Sequence, residues 1–143
     1  RIRNEIWVKL LGNVAFNPIS ALTRATLVRM ASDPDVSPIV RHIMGEVEAV
    51  ANKLGVTLPI SIEQRIAGAE KVGEHKTSML QDLEAGKPLE TACLTGALLE
   101  LADLLSVPVP HTRTIHACVE LLERVRMRER SAAAAGAATS AGE

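Results

Sequence analysis

Apolar residues in this chain recur every three or four positions and almost nowhere alternate, a period that argues for helices and against half-buried strands. The stretch from Pro34 to Leu54 is the clearest case, with Val36, Ile39, Val40, Ile43, Val47, Val50 and Ala51 on one side of a helix. Strand-favouring rings are almost missing: there is one Trp, one Phe and no Tyr, so a core must be built from Leu, Val, Ile, Ala and Met. The expected fold is therefore all-α. The first helix covers residues 2–17 and stops or bends at Asn17-Pro18, because proline disfavours a helical residue before it. Short helices follow over 19–24 and 27–31. Ser32-Asp33-Pro34 starts the long helix, and Gly55 ends it. Pro59-Ile60-Ser61 opens another that Gly73 stops near Val72, and 79–85 is a short helix before Gly86. Residues 90–105 are helical, with Leu94, Ala97, Leu98, Leu101, Leu104 and Leu105 inward. The last helix runs from His111 to about Arg128, with Ile115, Val119, Leu122 and Val125 on one side. From Ser131 the Ala- and Gly-rich segment offers nothing to pack, which gives a division into a helical domain, 1–130, and a disordered tail, 131–143.

With 143 residues, 47% of them hydrophobic, one domain with its own core is expected. Sixteen basic and seventeen acidic residues leave a net charge of −1, which gives no electrostatic footprint for nucleic acid. No apolar run reaches the roughly 18 residues of a membrane span, and no signal-peptide pattern precedes the first helix. The chain opens at Arg1 without a methionine, as a trimmed piece of something longer would. Cys93 and Cys118 lack C-x-x-C spacing and read as buried structural thiols of a reducing, cytoplasmic compartment. His111 and His116 fall on different helix faces and His42 and His75 stand alone, so no metal is expected.

Two polar clusters interrupt the apolar pattern. Lys9, Asn13 and Asn17 lie at i, i+4, i+8 in Trp7-Val-Lys-Leu-Leu-Gly-Asn-Val-Ala-Phe-Asn-Pro18, stacked on one helix face among Trp7, Leu10, Leu11, Val14 and Phe16. A solvated polar strip accounts for them. So does half of an active site, in which a lysine gives a proton and two carboxamides hold an oxygen-rich ligand. The second cluster is Thr77-Ser-Met-Leu-Gln-Asp82, followed by Glu90. Ser78 suits a helix N-cap, and such an N-terminus also favours carboxylates. Glu90, after Pro88, suits the positive end of a helix dipole without any chemistry.

Taken together, the motifs W-x-K-x-x-x-N-x-x-x-N-P over Trp7–Pro18, H-K-T-S-M-L-Q-D over His75–Asp82 with the Gly86-Lys87-Pro88 connector, and Ser106-Val-Pro-Val-Pro110 resemble the ketopantoate reductase family over residues 2–127. The similarity is to its C-terminal domain, a multi-helix fold of the ketopantoate reductase and 6-phosphogluconate dehydrogenase C-terminal type, without the N-terminal Rossmann domain. The resemblance implies NADPH-dependent reduction of 2-dehydropantoate to pantoate on the route to coenzyme A. Substrate would sit in the cleft between the helical domain and the Rossmann domain. It makes Lys9 the proton donor and Asn13 and Asn17 substrate ligands. Ser78, Met79, Leu80, Gln81 and Asp82 then hold the carboxylate or hydroxyl end. Glu90 contacts the cofactor side and orders the lysine and the substrate. It also implies a homodimer, and a first helix that exposes apolar surface to the Rossmann domain.

Two positions depart from the family pattern. Thr91-Ala92 follows Glu90 where relatives read Ile-Asp, and Leu27 stands where some use a further asparagine. Both favour a paralogue acting on another branched 2-keto acid. The missing nucleotide-binding half favours a non-catalytic helical dimerisation module, against which the retained Lys9, Asn13, Asn17, Ser78 and Glu90 weigh. Without a hydride carrier's domain, the 143 residues alone are expected to be inactive.

Overall fold

The computed structural model describes residues 2–142, which form helices and loops with no strand among them. Helix α1 spans Ile2–Thr23, α2 Leu27–Ser32, α3 Val36–Lys53, α4 Ile62–Val72 and α5 Ser78–Glu84. A π-helical turn, Ala92–Gly96, leads directly into α6, Ala97–Leu104, and α7 spans Pro110–Ser140.

The core forms where α1 lies on α3. Leu11, Val14, Ala15, Phe16 and Ile19 of α1 meet Val40, Ile43, Met44, Val47, Val50 and Ala51 of α3, all buried. All but Met44 are positions its apolar period selects, while Val36 and Ile39 of the same stripe are only partly buried. Helices α2 and α4 pack against each other beside α3, while α5 and α7 close over the other flank of α1. A smaller cluster of Ala21, Met79, Leu89 and Val119 fills the space between α1, α5 and α7.

Helix α1 does not stop at Asn17. It continues through Pro18 to Thr23. A proline inside a helix costs about 3 kcal/mol. Burying side chains such as Phe16 and Ile19 returns roughly 1.5–3 kcal/mol each, so packing on α3 outweighs the local penalty. The π turn also shifts the register of the segment after it. Leu98, Leu99 and Ala102 point inward, whereas Ala97 is exposed and Leu104 is 76% exposed. In α7, Val119 is buried but Val125 is exposed.

Local signals set most of the other boundaries. Asp33 Oδ1 accepts from the amides of Asp35 and Val36 before α3. Ser61 and Gln64 form a reciprocal capping box on α4. Gly73, at φ 81°, turns the chain after it. Helix α7 begins with the Glu46 carboxylate accepting from the amides of His111 and Thr112 and from the Thr112 hydroxyl, at 2.7–3.0 Å. It then runs past Arg128, and the Ala-rich segment is helical to Ser140 with every side chain exposed. Alanine's high helix propensity extends it where no packing does.

Leu11→Ala should leave a cavity between α1 and α3 and lower unfolding free energy by about 2–5 kcal/mol, read as a reduced urea midpoint at unchanged slope.

Candidate functional site

The two polar clusters meet. One cavity of about 270 Å³ takes Lys9, Asn13 and Asn17 from α1 and Ser78, Met79 and Asp82 from α5. Glu90, with Cys93 and Leu94 of the π turn, closes its other side. A second cavity, about 240 Å³, shares Asn13, Asn17 and Ser78 with the first, and beyond them carries Leu27, Arg65, His75, Lys76 and Gln81. The side chains of α1 and Ser78 thus form a common wall between two recesses.

The alignment of this wall depends on a buried relay of hydroxyls. Ser20 Oγ donates to the Asn17 carbonyl at 2.7 Å. Its remaining capacity is used by the Thr77 hydroxyl, which in turn accepts from the Leu80 amide at 3.1 Å. Thr77, not Ser78, is therefore the N-cap of α5. Ser78 is the first helical residue, and its exposed hydroxyl has no partner among the described residues. The loop before it hangs on α2: the Leu27 amide donates to the His75 carbonyl at 2.9 Å, and Glu74 accepts from Thr26 and Arg29. These two bonds hold the Glu74 carboxyl below its usual range, the Thr26 hydroxyl being the larger cause.

Glu90 is set from the far side. The Leu89 amide donates to Glu123 at 3.3 Å, Arg126 donates to the Lys87 carbonyl at 2.9 Å, and Arg130 donates to the Gly86 carbonyl. The Thr91 hydroxyl donates to Glu120. The connector is strapped to α7 on both sides of Pro88. Lys9 and Glu90 line one cavity but form no ion pair, and Asp82 is equally unpaired among the described residues.

Asn17 is the most informative of these side chains. It is only 8% exposed, and its amide has no hydrogen bond to any described residue, although it lines both cavities. No buried side-chain polar atom lacks a partner among the described residues, so the Asn17 amide reaches the open space of the cavities and can bind an oxygen-bearing ligand or water without first breaking an internal bond.

Not every expected residue reaches the cavities. Leu80 is fully buried and lines neither, and its amide is already taken by Thr77. Gln81 lines only the second, with its amide on the Lys76 carbonyl. Both cysteines are exposed rather than buried: Cys93 because the π turn carries it onto the first cavity's wall, Cys118 because it lies on the outer face of α7. His42 does not stand alone; its ring stacks on His111 at 4.5 Å. No group of three or more His, Cys, Asp or Glu side chains suited to a metal occurs among the described residues.

Arg65 was not among the expected site residues. Its guanidinium lies against Gly12 and over the Phe16 ring, 5.7 Å from the centroid. A Cβ at position 12 would stand 2.1 Å from its Nη2, so any larger residue there would move the guanidinium from this position. Glycine inside a helix costs about 0.5–1 kcal/mol relative to alanine. Burial lowers the Arg65 pKa from its ordinary value, and no carboxylate offsets that effect. The only sequence signal for this arrangement was a glycine in the middle of an apolar helix.

The family model described as Ketopantoate reductase PanE/ApbA C terminal matches residues 1–123. The chain belongs to this family. It is 50% identical over 124 residues to the 2-dehydropantoate 2-reductase of Mesorhizobium japonicum, covering 87% of this chain and 37% of that one. It is 31% identical over 114 residues to that of Archaeoglobus fulgidus, covering 80% and 38%. A crystal structure of a PanE/ApbA family ketopantoate reductase from Ralstonia eutropha superposes with TM-score 0.82 at 34% identity, over 89% of this chain and 43% of the other. The chain thus spans about two fifths of the length of these relatives, and it has the helical fold of a ketopantoate reductase C-terminal domain.

Thr77→Val keeps the shape of the side chain and removes the cap and the relay together. Unfolding free energy should fall by about 1–2 kcal/mol, and Thr77→Ser should recover most of it in the same urea titration.

Proposed function

We propose that this chain is the substrate-binding and proton-donating part of a reductase that converts 2-dehydropantoate to pantoate with NADPH. The observation that carries this reading is the convergence of Lys9, Asn13, Asn17, Ser78 and Glu90, from three separate segments, on one cavity. A scaffold has no need for that convergence, nor for an Asn17 amide left without an internal partner on the cavity wall.

Hydride arriving at a ketone carbon leaves negative charge on the oxygen. The Lys9 ammonium, one turn from Asn13 on the same face, is placed to stabilise that charge and then to transfer its proton to the oxygen. The amides of Asn13 and Asn17 and the hydroxyl of Ser78 orient the substrate without competing for the proton. Asp82 and Glu90 carry negative charge in the same cavity, so they serve to position Lys9 better than to receive an anionic substrate.

The described residues include no strand and no Gly-rich turn, so the dinucleotide would be held chiefly by a nucleotide-binding domain outside them. Within them, exposed Glu90 on the cavity wall is the residue placed to reach it. NADPH, when bound, supplies the hydride. Ile2 and Ile6, both more than half exposed on the first turns of α1, give such a domain an apolar surface to dock on. A homodimer in a cytoplasmic compartment completes the reading. A related enzyme from Staphylococcus aureus, 27% identical with TM-score 0.72, is described as dimeric.

The second reading, a reductase of another branched 2-keto acid, is favoured by Leu27, an apolar side chain on the second cavity's wall.

NADPH oxidation with 2-dehydropantoate should be fast when this chain is joined to its nucleotide-binding domain and absent for the chain alone. Lys9→Ala should reduce kcat about a hundredfold or more, as for loss of a general acid. Turnover only with a different 2-keto acid would select the second reading; a Lys9→Ala variant as fast as wild type would refute the proton-donor role.

A further inference from the structure

We propose that Arg65 is the carboxylate-binding residue of this site, gripping a carboxylate of the 2-oxo acid whose other oxygens lie on Asn13, Asn17 and Ser78. The identity of the acid rests on the reductase reading above; the carboxylate grip does not.

Charge is divided between the two cavities. The first holds Lys9 together with Asp82 and Glu90. The second holds Arg65, His75 and Lys76, with no carboxylate on its wall. Lys76 is paired with Glu84 at 2.7 Å. The Arg65 guanidinium has neither an ion pair nor a side-chain hydrogen bond to any described residue. An anion entering the shared space is repelled at one end and attracted at the other. A guanidinium presents a planar fork of donors that matches a carboxylate with two parallel bonds.

Two features accommodate the guanidinium where it lies. Gly12 leaves the space it occupies, and the Phe16 face supports it. The Asn17 amide, without an internal partner and open to the cavity, faces the same space. The arrangement is a prepared receptor, with a cation at one end, unpaired amides along the wall and Lys9 beyond them. The carboxylate is either the one beside the reacting ketone or a second one at the far end of a diacid.

The test has a binding arm and a kinetic arm. In the first, the isotope-labelled 143-residue chain is titrated with 2-oxoisovalerate, with 2-oxoglutarate, and with 3-methyl-2-butanone, the ketone without a carboxylate. The Arg65 Nε–Hε and Asn17 amide resonances should shift saturably with the acids. The ketone and sodium chloride at equal ionic strength should leave Arg65 unmoved. No Arg65 shift with either acid, or an equal shift with the ketone, overturns the proposal.

In the second arm, the reductase carrying its nucleotide-binding domain is assayed with Arg65→Met, Arg65→Lys and Gly12→Ala. Arg65→Met should raise KM roughly ten- to a hundredfold, as for a lost hydrogen bond to a charged group, with a smaller fall in kcat. Arg65→Lys should recover part of the loss. Gly12→Ala, which displaces the guanidinium while keeping it, should reproduce the KM effect at wild-type thermal stability. A KM effect confined to 2-oxoglutarate assigns the distal carboxylate, and an equal effect on both acids assigns the one beside the ketone. Wild-type turnover with an unchanged Arg65→Met KM refutes the carboxylate grip and spares the reductase. No turnover of any 2-oxo acid refutes the reductase, and the binding arm then decides Arg65 by itself.

Discussion

Ser20 carries a single hydroxyl proton, and the way that proton is used organises the site. It goes to the Asn17 carbonyl, beside a proline in a helix that local rules would end. The oxygen it leaves is met by Thr77, which caps α5. A buried hydroxyl without partners would cost more than the relay contributes, so the two segments are held in one registry or the relay is broken. That registry places Asn17 and Ser78 on a common wall, and both cavities exist because of it.

The site therefore rests on packing rather than on its own polar residues. Lys9, Asn13 and Ser78 bond to no other described side chain and contribute little to stability where they stand. Their positions come from Leu11, Val14 and Phe16 behind them on α1 and from Met79 and Leu80 behind Ser78. Functional side chains are left free because apolar neighbours one position away do the anchoring. A half-buried guanidinium without a carboxylate is energetically unfavourable in isolation, and it faces the same space as the Asn17 amide, which has no internal partner.

What could be read in the sequence was whatever is periodic or local. The apolar stripe of α3 gave its buried residues directly, and the Lys9, Asn13, Asn17 spacing survived intact as one face of α1. The capping box at Ser61 and the turn at Gly73 are likewise short-range chemistry. Features decided by distant partners were not legible. Pro18 reads as a stop or a bend because its burial in the packed α1 has no local signature. The π turn inserts an extra residue without a sequence signal, so Leu104 was assigned inward and Cys93 to a core it does not enter. Ser78 suits the cap on local grounds, but the neighbouring hydroxyl satisfies the same rule, and the use of Thr77 depends on Ser20. Arg65 acts on α1 from α4, and nothing in the sequence near it announces that.

Helix α7 is fixed at its start by Glu46, which receives two of its free amides, and is fastened along its length to the connector through Glu120, Glu123, Arg126 and Arg130. The same helix is thus seated on α3 at one end and bonded to the chain on both sides of Pro88 further along, so the segment that carries Glu90 takes its position from α7. One wall of the first cavity is therefore built on a helix whose outer face is solvent, not on the α1–α3 core that carries the other wall.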